Sequence, residues 1–174
     1  MRRRQALVAA LGGLAAGCGY ALVGKGVTTD PSIKRIGVPL FHNRTGRSDL
    51  DATVTQAVIE ELQKRGRFTV VKEASGVDAV VEGDIIAYST VPVNFTDEGG
   101  VSQASRYAIT LTASVVYRKI GQKQPIWANN AFTLRDEYDM DTQATSYFDR
   151  EQLSIGRLSQ AFARNLVAAM LEAF

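Results

Sequence analysis

Between Tyr107 and Tyr117 the chain alternates without a break. Tyr107, Ile109, Leu111, Ala113, Val115 and Tyr117 fall on one phase, and Ala108, Thr110, Thr112, Ser114, Val116 and Arg118 on the other. Side chains of an extended strand point to opposite faces at period two, so the apolar phase is expected to be buried and the hydroxyl-rich phase open. Antiparallel sheets are the ones that tolerate one wet face. At ~3.4 Å per residue the strand spans about 37 Å, roughly twice a common strand of ~5–6 residues.

The flanking sequence supplies its partners. Ala79 to Val91 reads as a preceding strand, with Pro92 placing its far end at an edge. Asp97, Glu98, Gly99 and Gly100 form a turn between the two. Gly121 to Pro125 makes the next turn, after which Ile126, Ala128, Asn130, Phe132 and Leu134 continue the inward row, and Trp127, Asn129, Thr133, Arg135 and Glu137 the outward one. Upstream, Ile33 to Leu40 is a short strand, Phe41 to Arg47 a loop, and Ser48 with Asp51 a capping box. Leu50, Val54, Val58 and Leu62 then recur as one face of a helix stopped by Gly66, and Phe68 to Val71 returns as a strand. Such a strand, helix, strand unit pairs its strands in parallel with a right-handed crossover. Asp149 with Gln152 caps a C-terminal helix running to about Leu171. Ile155, Leu158, Phe162, Leu166 and Ala169 form its apolar stripe, widened by Leu153 and Met170. The fold class is α+β: a two-layer sandwich, two helices packed on one face of a mixed sheet of about four to five strands.

The N-terminus carries a different message. Met-Arg-Arg-Arg-Gln precedes an apolar run from Ala6 to Ala16, too short for the ~20 residues of a membrane span, and small residues lead to Cys18, the sole cysteine. Leu14-Ala15-Ala16-Gly17-Cys18 resembles the box that ends the signal segment of bacterial lipoproteins, departing from it in having Ala15 where the pattern has Leu. Residues 1–17 are then a signal peptide and Cys18 the lipidation site, with acyl chains holding the protein on a membrane. Two other readings stand beside this one: a free thiol behind an ordinary signal, and a buried cysteine in a cytosolic chain. Residues 18–31, with Gly19, Gly24 and Gly26, read as a tether reaching ~40 Å when extended. Tyr20, Leu22 and Val23 offer the alternative of lying on the domain.

Removing residues 1–17 discards Arg2, Arg3 and Arg4 and turns the formal charge from +2 to -1. The basic balance thus belongs to the targeting peptide, and no nucleic-acid partner is expected. Residues 32–174 suffice for one domain with its own core. A single cysteine leaves no intramolecular disulfide to build.

Several fragments together resemble the LptE family of outer-membrane lipoproteins. They are Cys18-Gly19-Tyr20 with Leu22 and Gly24, Ile33-Lys34-Arg35-Ile36, Val38-Pro39 leading to Phe41, Asn43 and Thr45, Arg65-Gly66-Arg67-Phe68, Asp78 to Gly83, Trp127-Ala128-Asn129, and Leu171 to Phe174. The resemblance implies two helices on a sheet and a plug inside an LptD-type barrel. It also implies help in that barrel's assembly, and lipopolysaccharide bound on its way to the outer leaflet. Gly19 after the lipidated cysteine, where Asp would retain an enterobacterial lipoprotein in the inner membrane, implies the outer membrane as the destination.

Within that frame a hairpin as long as Tyr107–Tyr117 is expected to project beyond the helices, its tip carrying Arg118, Lys119 and Lys123. These are three cations suited to lipopolysaccharide phosphates, or simply a solvated turn. The outward row Thr110, Thr112, Ser114, Thr133 and Arg135 either lines the contact with a polar barrel lumen or is plain strand chemistry. Trp127 on the same row favours an interface. Catalysis finds little support. His42 is alone and lacks companion metal ligands, and Glu82 with Asp84 could mimic an acid/base pair but more often such residues face solvent. No cofactor is expected. The competing functions are a lipoprotein of another envelope secretion apparatus and, from a different class, an envelope hydrolase.

Overall fold

The computed structural model describes residues 30–98, 100–140 and 147–172. The signal peptide, Cys18 and nearly all of the tether lie outside the described residues, as do Gly99 and the end at Ala173–Phe174. The elements run β1 (Arg35–Gly37), β2 (His42–Asn43), α1 (Leu50–Lys64), β3 (Thr69–Val71), β4 (Ala79–Glu98), β5 (Val101–Lys119), β6 (Trp127–Asp139) and α2 (Tyr147–Glu172). One mixed sheet has the order β3-β1-β4-β5-β6, with β2 pairing with β4 beside this path. β1 is parallel to both β3 and β4, whereas β4, β5 and β6 form antiparallel pairs. The helices lie on one sheet face and pack on each other, so the expected two-layer α+β architecture is present.

The core follows the apolar phases. Ile36, Val54, Val58, Leu62, Ile85, Ile109, Leu111, Val115, Phe162 and Leu166 are all buried. Leu153 is not: at 72% exposed it belongs to the outer side of α2, correcting the wider stripe. Both helix starts also differ from their capping signals. Asp49, at φ 65°, takes the N-cap place of α1, and its carbonyl accepts bonds from the Thr53 amide (3.1 Å) and hydroxyl (2.8 Å), so the helix begins after Ser48 has already turned away. α2 is under way at Tyr147, two residues before Asp149. Gly66 ends α1 as expected, with φ 65°.

Two ties fasten the short N-terminal strand. The Asp78 carboxylate accepts the Lys34 and Arg35 amides, each at 2.8 Å, and this clasps β1 to the start of β4. Phe41 donates its amide to Thr55 Oγ1 at 2.9 Å, bringing the loop after β1 onto α1. A buried polar knot holds the other end. Glu151 of α2, 5% exposed, accepts from Tyr88 OH (2.9 Å) of β4 and pairs with Arg47 (3.2 Å) from the loop before α1. Burial first, and then the neighbouring Glu151, push the Tyr88 hydroxyl up to about 12.

Candidate functional site

The helices leave the opposite sheet face uncovered. Thr110, Thr112 and Ser114 of β5 alternate with buried neighbours, and Thr133 and Arg135 of β6 stand opposite Thr112 and Thr110. All five therefore lie on that open face, as their phase predicts. Thr112 and Thr133 share a hydrogen bond of 3.0 Å across the strands, and Arg135 pairs with Glu137 at 3.0 Å. The centre of the face is neutral and rich in hydroxyls, with ion pairs toward its margins: Arg118–Glu82 and Arg44–Asp84, both 3.1 Å, and Arg106–Asp139, 2.7 Å. Such a surface can hydrogen-bond a polar wall with little charge to desolvate.

Trp127 does not share this face. Between Ala113 and Val115 of β5, β6 advances from Phe132 to Asn129, three residues against two, and this bulge exchanges the phases of the strand. Trp127 consequently sits over the helix-covered side, half-buried, edge-on to Phe132 at 6.1 Å. Phe132 in turn meets Phe162 of α2 edge-on at 5.2 Å. Ala128 and Asn130, expected inward, are exposed.

The cation corner is also rearranged. Arg118 is held in a two-point bond to Glu82, both arms 3.1 Å. Lys119 turns back to Asp30 at 2.5 Å and to Ser32 Oγ at 2.7 Å, pinning the last tether residues to the end of β5. Lys123 is exposed, and no ion pair is seen for it among the described residues. These cations are not on a projecting tip. Ala79 pairs with Lys119, so the β5–β6 turn lies at the body end of the sheet, beside β1.

The end that does project is the β4–β5 hairpin. β4 runs on through Pro92 to Glu98, beyond the expected end at Val91, and Glu98 pairs with Val101. Val91, Val93 and Phe95 are 47%, 38% and 56% exposed there. Pro92 caused the miss, because a proline normally ends a ladder. The period-two spacing of Val91, Val93 and Phe95 was the available signal.

His42 is exposed on β2, in register with Asp84, and with Glu82 and Ser114 it borders a shallow depression of about 420 Å³ on the open face. Both carboxylates are occupied by arginines. Among the described residues no group of three His, Cys, Asp or Glu could hold a metal ion, and no helix is long and apolar enough to cross a membrane.

The family model for lipopolysaccharide-assembly, LptE, matches residues 33–170. The chain belongs to the LptE family. Solved structures share its architecture. Protein CT253 from Chlamydia trachomatis has a TM-score of 0.54 at 12% identity, with 82% of this chain and 99% of that one covered. Uncharacterized lipoprotein B from Nitrosomonas europaea gives 0.54 at 11%, covering 81% and 86%. Protein XCC0632 from Xanthomonas campestris gives 0.50 at 10%, covering 80% and 84%. At these identities the likeness shows the fold alone. No curated protein matches the chain by sequence.

The fragments that resemble LptE meet in three dimensions. Val38-Pro39 leads to Phe41, whose ring lies on Gly83; Asp78, five residues before Gly83, clasps the strand of Ile36. In this LptE-family chain those pieces build the framework at one end of the sheet, and Trp127 is linked to α2 through Phe132 and Phe162.

Proposed function

We propose that this LptE-family protein is a non-enzymatic assembly and transport factor of the outer membrane. Acyl groups on Cys18 anchor it, and the folded body seats inside an LptD-type barrel. There it supports the barrel's assembly and the passage of lipopolysaccharide to the outer leaflet. The observation that carries this reading is the uncovered hydroxyl face around Thr112 and Thr133, since a polar lumen wall is a surface such a face can meet without leaving apolar area in water. Lipopolysaccharide phosphates meet the body-end corner through Lys123. Arg118 joins only by giving up Glu82, and Lys119 serves chiefly to dock the tether.

Pull-down of the full chain from detergent-solubilised envelopes, with mass analysis of its N-terminal peptide, tests the reading. The expected result is an acylated Cys18 peptide and a co-purifying barrel. An unmodified terminus on a freely diffusing protein contradicts it. Lys123→Glu should weaken lipopolysaccharide binding several-fold at low salt, and an unchanged isotherm removes that corner from the ligand path.

A further inference from the structure

Tyr107 and Tyr138, opposite each other in register and stacked at 5.7 Å, lie near the end of the covered sheet. α2 reaches β4 there through Glu151, which meets Tyr88 and Thr90. β6 follows β5 as far as the Arg106–Asp139 pair and the Met140 amide on the Ser105 carbonyl; past this level β4 and β5 continue as two strands alone, from the Phe95–Ala104 pair to the Glu98–Val101 pair. Four residues on each strand, 95–98 and 101–104, make at ~3.4 Å each an arm of about 14 Å.

The arm is apolar where it should be polar. Val91, Val93 and Phe95, between 38% and 56% exposed, recur at every second residue of β4 leading into its base. A lone two-stranded ribbon has no core to bury them in, and long apolar runs left in water mark contact surfaces. Its charge narrows the choice of occupant. Phe95 to Ala104 contains Asp97 and Glu98 and no Lys or Arg, and Arg106 at its base is paired with Asp139, so anionic phosphates and headgroups are repelled. Its backbone narrows it again. Pro92 lacks an N–H, and the register shifts at Pro92/Asn94 and Asn94/Phe95 break the even ladder that strand addition needs.

We infer that this arm is a second docking element, whose side chains at Val91, Val93 and Phe95 enter an apolar recess with a basic rim on the partner barrel polypeptide. This rests on the barrel-partner reading above and adds a site beyond the end of the hydroxyl face, which Val91, opposite Ala108, adjoins. The arm contributes nothing to the core, so truncating it separates binding from folding.

The test uses the full-length lipoprotein in envelopes. Val91→Ser with Phe95→Ser should lower the recovery of the co-purified barrel at least tenfold while leaving the melting midpoint of the purified protein unchanged. In an otherwise unaltered chain, a photo-crosslinking phenylalanine analogue at position 95 should attach to the barrel. Undiminished barrel recovery overturns the inference, as does a crosslink to lipid, to lipopolysaccharide or to a second copy of this chain. If the double variant melts lower, the crosslink alone decides. A wild-type chain that recovers no barrel sinks the functional reading first, and the arm's partner with it.

Discussion

The ring of Phe41 fills the space in which any residue other than glycine at position 83 would carry its Cβ: an added Cβ would stand 2.7 Å from Phe41 Cζ and closer still to other ring carbons. Phe41 is 1% exposed and its amide is tied to Thr55, so the ring cannot swing away cheaply. Gly83→Ala should therefore destabilise the fold by about 1–3 kcal/mol, as overpacking does. Thermal unfolding will show a midpoint lower by several degrees. Adding Phe41→Leu should recover part of the loss, and a fully additive double variant would contradict the contact.

Glu151 joins α2 to β4 and to the loop before α1, and it is buried while its partners Tyr88 and Arg47 are partly so. Glu151→Leu removes one partner of each bond and should cost about 1–3 kcal/mol in urea unfolding. Glu151→Gln keeps an acceptor for Tyr88 and should cost less. Equal losses would show that the helix is held by packing alone.

Backbone amides of Arg35 and then Lys34 hold the Asp78 carboxyl below the usual carboxylate range, and hydrogen bonds from Lys119 and then Ser32 do the same for Asp30. The unfolded chain binds these protons near the ordinary value of ~3.9. The stability they contribute is thus complete above that pH and is lost as pH falls through the lower folded values. Unfolding midpoints should drop on acidification below about pH 4, and Asp78→Asn should flatten that dependence. A midpoint that falls just as steeply in Asp78→Asn would remove the clasp from the account.

The hydroxyl of Tyr117 is buried with no hydrogen-bond partner among the described residues, and burial raises it to about 12. Its ring occupies the core beneath β5. Tyr117→Phe should leave the midpoint unchanged or raise it, because it removes an unsatisfied polar atom and keeps the ring. A lower midpoint would reveal a partner for that oxygen.

Strict alternation made the phase of β5 legible from Ile109 to Tyr117, because burial of one face leaves no freedom of register, although the strand begins earlier, at Val101, and Ala108 on the open phase is buried. The open row Thr110, Thr112, Ser114, Thr133 and Arg135 was legible for the same reason. Trp127 was not. A single extra residue in β6, near Asn129, exchanges the faces, and nothing in the polar stretch Asn129-Asn130-Ala131 marks it in the sequence. Arg118 and Lys119 could be read as cations but not as bonded ones, since Glu82 and Asp30 lie 36 and 89 residues away along the chain. The arm was hidden by Pro92, whose local rule favours a strand end and which here sits within β4 beside a register shift.

The seating of the hydroxyl face against a barrel wall is tested most directly by replacing Thr112 with Glu and Thr133 with Lys together. The new side chains face each other across the strands and can pair, which preserves the sheet while replacing a neutral surface by bulk and charge. Recovery of the LptD-type barrel by the full-length lipoprotein is the readout, with the melting midpoint as control. We predict that the wild-type chain brings down the barrel and that the double variant, folded as before, loses it. A folded double variant that brings down as much barrel as the wild type would contradict the account.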